Sequence, residues 1–500
     1  MAAVAAFSTL CVSCGGGSSG SAPPPVATTP PVSTPTPTPT PAPTPTPTPP
    51  PPPAPATARN NILFIMVDDL RPDLGTYGNL VAKTPNIDAL ARSGAVFERA
   101  FVSQAVCGPS RAALLTGKRP STTGIINLDR TVNDYAPDAV TLLDTFKAGG
   151  YTTVGIGKIY HHSTDDADGW SEPHKEARAP KIDTFAASTA RWPDRETLLD
   201  TRATKLAVAD MARLKDSGAP FFLAVGIRHP HLPFIAPQED WNKYSPSTLP
   251  RPINPEGQKG NYAWSFVQGE IGAYADLAGL GRNLPASKAT ELQWGYLAAV
   301  SYVDGLVGEL LAGLKANGLE DDTIVVLWGD HGFKLGDHGY WAKHSNADID
   351  IRIPLIVRAP GWTSPNTRVS GIVESVDIYP TLAAITGLST PDDLEGLSFA
   401  QLLYWPTRAW KEAAFAQYQR EAAYTQGLGY LTGKTVRTDR YRYTAWIDTA
   451  GRVRGQELYD LQADPSETTN VARDPNYADA VTALEKLRVD GWKVVRRRVS

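Results

Sequence analysis

Cysteine is scarce in this chain, with three in 500 residues, at positions 11, 14 and 107. Two fall within the first fourteen residues, so the body of the chain holds a single thiol and no disulfide framework can brace it. An excess of charge is also missing. A formal net charge of −4 argues against a nucleic-acid-binding surface, and any anion site must be local. Beyond the N-terminal leader, no run approaches the roughly 18 uninterrupted apolar residues that cross a bilayer, so no membrane span is expected there. What is plentiful is ordinary core material. The 42% hydrophobic and 20% charged residues suit a large globular body.

Proline is concentrated at one end. From 23 to 58 the chain is mostly Thr-Pro and Pro-Pro, which favours an extended polyproline-like spacer of about 3 Å per residue. Ahead of it residues 2–12 are small and apolar, and Cys14 opens CGGGSSGS, which resembles a lipoprotein signal ending at a lipid-modified cysteine. Residues 1–22 are therefore expected to be a signal and lipidation region. The protein would then be exported, as a periplasmic, outer-membrane or cell-surface lipoprotein of a bacterium that meets a membrane only through that anchor.

The globular part opens with NILFIMVDD, whose apolar run 62–67 reads as a strand buried on both faces and ending in Asp68 and Asp69. A second run, 323–328, leads into Asp330 and His331, and others fall at 152–157 and 221–227. Amphipathic stretches at 203–214 and 294–314 alternate with them. That alternation predicts an α/β fold, a doubly wound, mixed but mostly parallel sheet, with ligands beyond the carboxyl ends of the strands. The expected catalytic domain spans 59–407. Shorter β-like pieces and a terminal helix over 477–493 predict a smaller C-terminal α+β subdomain, 408–500.

The chemistry centres on CGPSRAALLTGKRP, residues 107–120. Pro109 suits the first turn of a helix running to Thr116, with Gly117 as its stop. Cys107 would then sit at a helix N-terminus, where free N–H groups favour anions and make a thiol reactive. Arg111 adds a guanidinium suited to a tetrahedral oxyanion. Three aspartates at two strand ends make an oxygen-rich site for Ca²⁺ or Mg²⁺, while His331 pulls toward a transition metal, so the residues alone leave the ion open.

Cys-x-Pro-Ser-Arg followed by Leu-Thr-Gly-Lys resembles the signature of formylglycine-dependent sulfatases, a branch of the alkaline-phosphatase-like superfamily. The resemblance extends to VDDLRPDLGTYG, TPNIDALARSG, GKIYH, HPHLPF, GDHGFKLGDHGYWAKHSN and ELYDLQADPSE, and within the family the run is most similar to iduronate-2-sulfatases. It implies that Cys107 is oxidised to formylglycine by a maturation enzyme, and that Asp68, Asp69, Asp330, His331 and the modified Cys107 hold calcium. It further implies that a hydrated aldehyde attacks sulfur beside Arg111, that Lys158 binds the sulfate, that His161 is the base releasing it, and that His231 and Lys343 protonate the leaving oxygen or clamp the sulfate. Two histidines in opposite protonation states predict a bell-shaped pH profile near neutrality.

The expected activity is exo-acting hydrolysis of sulfate esters on a sulfated polysaccharide or oligosaccharide. Other readings are a phosphodiesterase or phosphonate monoester hydrolase of the same fold, and a non-catalytic protein that captures sulfated glycans. His162, His174, His229, His338 and His344 are read as surface or packing residues. Phe333 and Lys334 replace family positions that face the sugar pocket. Trp192, Trp241, Trp264 and Trp341 could stack on sugars or pack the core. The stretch 246–286 resembles nothing else.

Overall fold

In the computed structural model residues 60–497 are described, apart from 163–164, 178–184, 268 and 283. The expected signal, Cys14 and the proline-rich spacer lie outside these residues. Eight strands build the central sheet: β1 (Asn61–Val67), β2 (Ala95–Phe101), β3 (Thr152–Gly157), β4 (Phe221–Ile227), β5 (Thr323–Gly329), β6 (Arg352–Arg358), β7 (Thr367–Val369) and β8 (Val373–Glu374). Their spatial order is β7-β2-β6-β5-β1-β4-β3, with β8 also paired to β2. β3, β4, β1 and β5 run parallel, whereas β6 is antiparallel to both β5 and β2. The sheet is therefore mixed and mostly parallel, as expected.

Its central strands β1, β4 and β5 are near-continuous apolar runs because both faces are covered. Alternate residues of β1 feed separate cores: Leu63, Ile65 and Val67 join one cluster, Ile62, Phe64 and Met66 the other. Each such buried side chain contributes roughly 1.5–3 kcal/mol, so a one-residue slip of this strand would exchange the two sets.

The first cluster is closed by two helices, Leu199–Asp216 and Ala286–Ala316, which contain the expected amphipathic stretches. The latter, at 31 residues and with a mean hydropathy of 1.5 over its most apolar 18 residues, is long and apolar enough to cross a membrane. Here 72% of its most apolar window is buried inside the protein. Its Asp304 accepts hydrogen bonds from the backbone N–H groups of Asn86 (2.9 Å) and Ile87 (2.8 Å), capping the helix Pro85–Ser93.

Four antiparallel strands, Ala413–Arg420, Leu431–Thr438, Tyr441–Asp448 and Val453–Asp460, form the C-terminal sheet. The expected single terminal helix is two, Ala478–Asp490 and Trp492–Arg497. The break is Gly491, whose φ of 71° and ψ of −177° leave the helical region.

Candidate active site

The chain leaves β1 with neighbours on both sides, and the carboxyl ends of β1, β3, β4 and β5 open on one crevice. Asp68 and Asp69 follow β1, Lys158 and His161 follow β3, His229 and His231 follow β4, and Asp330 and His331 follow β5. Two glycines permit the close approach. Gly157 has φ 77°, and a Cβ on Gly226 would overlap the backbone of Lys158.

The predicted helix over the signature is present as Cys107–Thr116, ended by Gly117 in the left-handed region (φ 63°). All ten of its residues are buried. Cys107 therefore opens the helix deep in the crevice. Its Sγ lies 3.2 Å from Asp68 Oδ1 and 3.3 Å from His331 Nε2. Ligand atoms of Asp68, Cys107, Asp330 and His331 all fall within 4.8 Å of one another, and an overlapping trio joins Asp69, Cys107 and His231. Two carboxylates, an imidazole and the atom at position 107 make up the quartet, and every member is buried. Such a donor set fits a divalent cation. Asp69 adopts φ 58° and its N–H donates to Asp330 Oδ1 (3.0 Å), so the ends of β1 and β5 are locked together.

Three cations interleave with these acids. Arg111 is wholly buried and donates from Nε to Asp330 Oδ2 (2.9 Å) and from Nη1 to the carbonyls of Lys158 and Ile159. Its Nη2 lies 3.7 Å from Asp68 Oδ1 with no hydrogen-bond partner among the described residues. Lys158 pairs with Asp68, and Lys343 donates to both oxygens of Asp69 (2.9 and 3.1 Å). Burial pushes the Asp68 carboxyl up, but Lys158, His231 and Arg111 overcome it and hold it well below the usual range. At Asp69 burial wins over Lys343 and His331, raising that carboxyl to about 7. Burial, reinforced by Asp68, also raises the Cys107 thiol. As an unmodified thiol it stays protonated near neutrality, contrary to the reactive thiol that a helix N-terminus suggests.

Lys158, His161, His231 and Asp68 face a cleft of about 600 Å³ whose opposite wall is apolar, with Leu199, Leu232, Phe185 and Tyr274. All six expected catalytic residues are thus brought to one crevice. Glu270, which no spacing or motif singles out, joins them. Its Oε1 lies 2.8 Å from Lys343 Nζ and 3.3 Å from His231 Nε2.

Several other expectations resolve. His229 donates from Nδ1 to Asp200 Oδ2 (2.6 Å) and packs edge-on to Tyr302, so His231 is the histidine aimed at the crevice acids. Phe333 and Lys334 do not face a pocket. Phe333 is buried against Phe234 and Tyr296, and Lys334 is buried on Asp350 and the carbonyl of Lys343. Burying the lysine requires that carboxylate partner, which a solvent-facing position would not supply. Trp241, Trp264 and Trp341 are core residues and half-buried Trp192 bonds Thr197.

From the C-terminal sheet, buried Arg420 reaches back to the carbonyls of Trp264 (2.6 Å), Ser265 (2.9 Å) and His344 (2.7 Å). It thereby ties together the two segments that carry Glu270 and Lys343.

The sequence matches the family described as Sulfatase over residues 60–388, and the family described as N-sulphoglucosamine sulphohydrolase, C-terminal, over 336–491. Human iduronate 2-sulfatase is 30% identical over 513 residues, covering 85% of this chain and 93% of that protein. An N-acetylglucosamine-6-O-sulfatase of Bacteroides thetaiotaomicron is 25% identical, covering 86% of both. Among solved structures, one in complex with its substrate D-glucosamine-2-N,6-O-disulfate superimposes with a TM-score of 0.70 at 24% identity, covering 87% of this chain and 97% of that one. A phosphonate monoester hydrolase of Agrobacterium radiobacter gives 0.71 at 23% identity, covering 87% and 96%. With two thirds of the sequence matched by the first family and the acids, cations and cysteine of its signature gathered in one crevice, the chain belongs to the sulfatase family of sulfuric ester hydrolases.

Proposed function

We propose that the protein is an exo-acting sulfatase that removes a sulfate ester from a sugar unit of a sulfated polysaccharide or oligosaccharide. It is matured by oxidation of Cys107 to formylglycine and loaded with a divalent cation, Ca²⁺ by its hard oxygen donors. The observation that carries this reading is Cys107 buried among Asp68, Asp330 and His331 with Arg111 behind them. A thiol held protonated there is a poor nucleophile, so the reading gives the nucleophile's role to its oxidised form. When present, the hydrated aldehyde at 107 supplies an oxygen nucleophile. Asp68, Asp330, His331 and position 107, with Asp69 beside them, would hold the cation, which would supply positive charge to the sulfate oxygens.

The side chains supply the rest. Arg111 and Lys158 fix the base of the site and attract the sulfate dianion's oxygens, while the cleft receives the sugar. His161 takes up the proton whose loss releases sulfate. His231 and Lys343 serve the leaving oxygen. Names of the relatives, with iduronate and N-acetylglucosamine among them, support a sugar substrate. Export and anchoring through Cys14 rest on the leader composition.

Peptide mass spectrometry across Cys107, on protein from a host that matures sulfatases, should find an aldehyde. The same sample should hydrolyse at least one member of a panel of sulfated uronic-acid and amino-sugar disaccharides faster than matched phosphate and phosphonate esters. A mature protein that turns over only the phosphorus esters would overturn the assignment.

Burial, with Lys158 and His162, lowers His161 to about 4. It is therefore in its proton-accepting form at neutrality, and the activity that needs it is present above that value and lost as pH falls through it. The acid limb of kcat should lie near pH 4 rather than near neutrality, and His161→Gln should cost about 10²–10⁴-fold in kcat. An acid limb near pH 6.5 in folded protein would contradict this role.

A further inference from the structure

Resting on the sulfatase reading, we infer that Glu270 is a positioning residue that aligns His231 and Lys343 with the leaving oxygen of the substrate. Glu270 opens a short 3₁₀ turn, Glu270–Ala273, inside the stretch 246–286 that matches none of the family's motifs. That turn and the following Tyr274 also form part of the cleft wall, so one segment borders the sugar and touches the groups that act on its oxygen.

The geometry is specific. Lys343 Nζ is fastened between Asp69 and Glu270 Oε1, at 2.9 and 2.8 Å. His231 Nδ1 donates to the carbonyl of Leu232 (2.6 Å), which leaves Nε2 as the nitrogen facing the crevice, 3.3 Å from the same Glu270 oxygen and 4.0 Å from Asp69 Oδ2. Without Glu270 the imidazole would keep its Nδ1 hydrogen bond but could swing about it, and Lys343 would be held from one side alone. One carboxylate oxygen of Glu270 thus faces both donors at once. As the S–O bond breaks, the oxygen keeps the bonding pair and takes the proton from His231 Nε2, and the ring becomes neutral. Poor leaving groups depend on that transfer far more than activated ones.

The test is leaving-group dependence in the full, matured chain. Glu270→Gln and Glu270→Asp should each lower kcat on a sulfated disaccharide by about a hundredfold, with KM changed much less. On 4-nitrophenyl sulfate, whose leaving group needs no proton, the loss should be only a few-fold, and a series of phenyl sulfates should show a steeper dependence on leaving-group basicity than the parent. Equal losses on all esters, or none on the disaccharide, would overturn the inference, and Glu270→Asp supplies the comparison if the glutamine variant fails to fold. A parent protein carrying the aldehyde yet inactive on every sulfate ester would instead refute the sulfatase reading itself.

Discussion

Replacing Cys107 by alanine is expected to lower turnover of every sulfate ester by about 10⁴-fold or more while leaving the fold intact. The residue is buried, and among the described residues its side-chain hydrogen-bond partners are Asp68 and His331. Alanine removes one sulfur atom from a site whose backbone is held by the helix Cys107–Thr116. Stability should therefore change by no more than about 1–2 kcal/mol, read as a small shift in thermal midpoint. Turnover has no comparable refuge, since Cys107 is the one cysteine among the described residues and the aldehyde can be made only there. Substantial activity in Cys107→Ala would remove the basis for formylglycine chemistry.

The second large effect falls on stability as well as rate. Asp330→Ala strips Arg111 of its carboxylate partner at 2.9 Å and frees the Asp69 N–H. Arg111 has no exposure to water, and with only the more distant Asp68 carboxylate (3.7 Å) left beside it the guanidinium should cost about 3 kcal/mol. Adding Arg111→Met should recover part of that loss, because the unpaired charge goes with it, yet restore no turnover. Thermal melts of the single and double variants make the comparison. An Asp330→Ala protein as stable as the parent would show that the pair is not what holds the two strand ends.

The strands that carry these acids were legible because they are covered on both faces: β1, β3, β4 and β5 are uninterrupted apolar runs that stop at polar residues. The signature helix was legible for a different reason, since its glycine stop has a local conformational requirement. That Phe333 and Lys334, at family positions that face the sugar pocket, are buried here was not legible, because a single lysine carries no mark of being buried and its partner Asp350 lies sixteen residues on. Glu270 left no trace, because a lone carboxylate in a stretch without periodicity acquires meaning only when Lys343 and His231 arrive from elsewhere in the chain. The divided terminal helix hinged on Gly491, which composition cannot distinguish from a tolerated glycine inside a helix.

Arg420 sets a limit on how this architecture can be rebuilt. Its guanidinium closes hydrogen bonds to backbone on both sides of the crevice, at Trp264, Ser265 and His344. The C-terminal sheet is therefore not a cassette that can be traded between relatives to graft new behaviour onto an unchanged reaction centre. A chimaera joined near residue 408 inherits a working crevice only when the incoming strand brings an arginine in the register of Arg420.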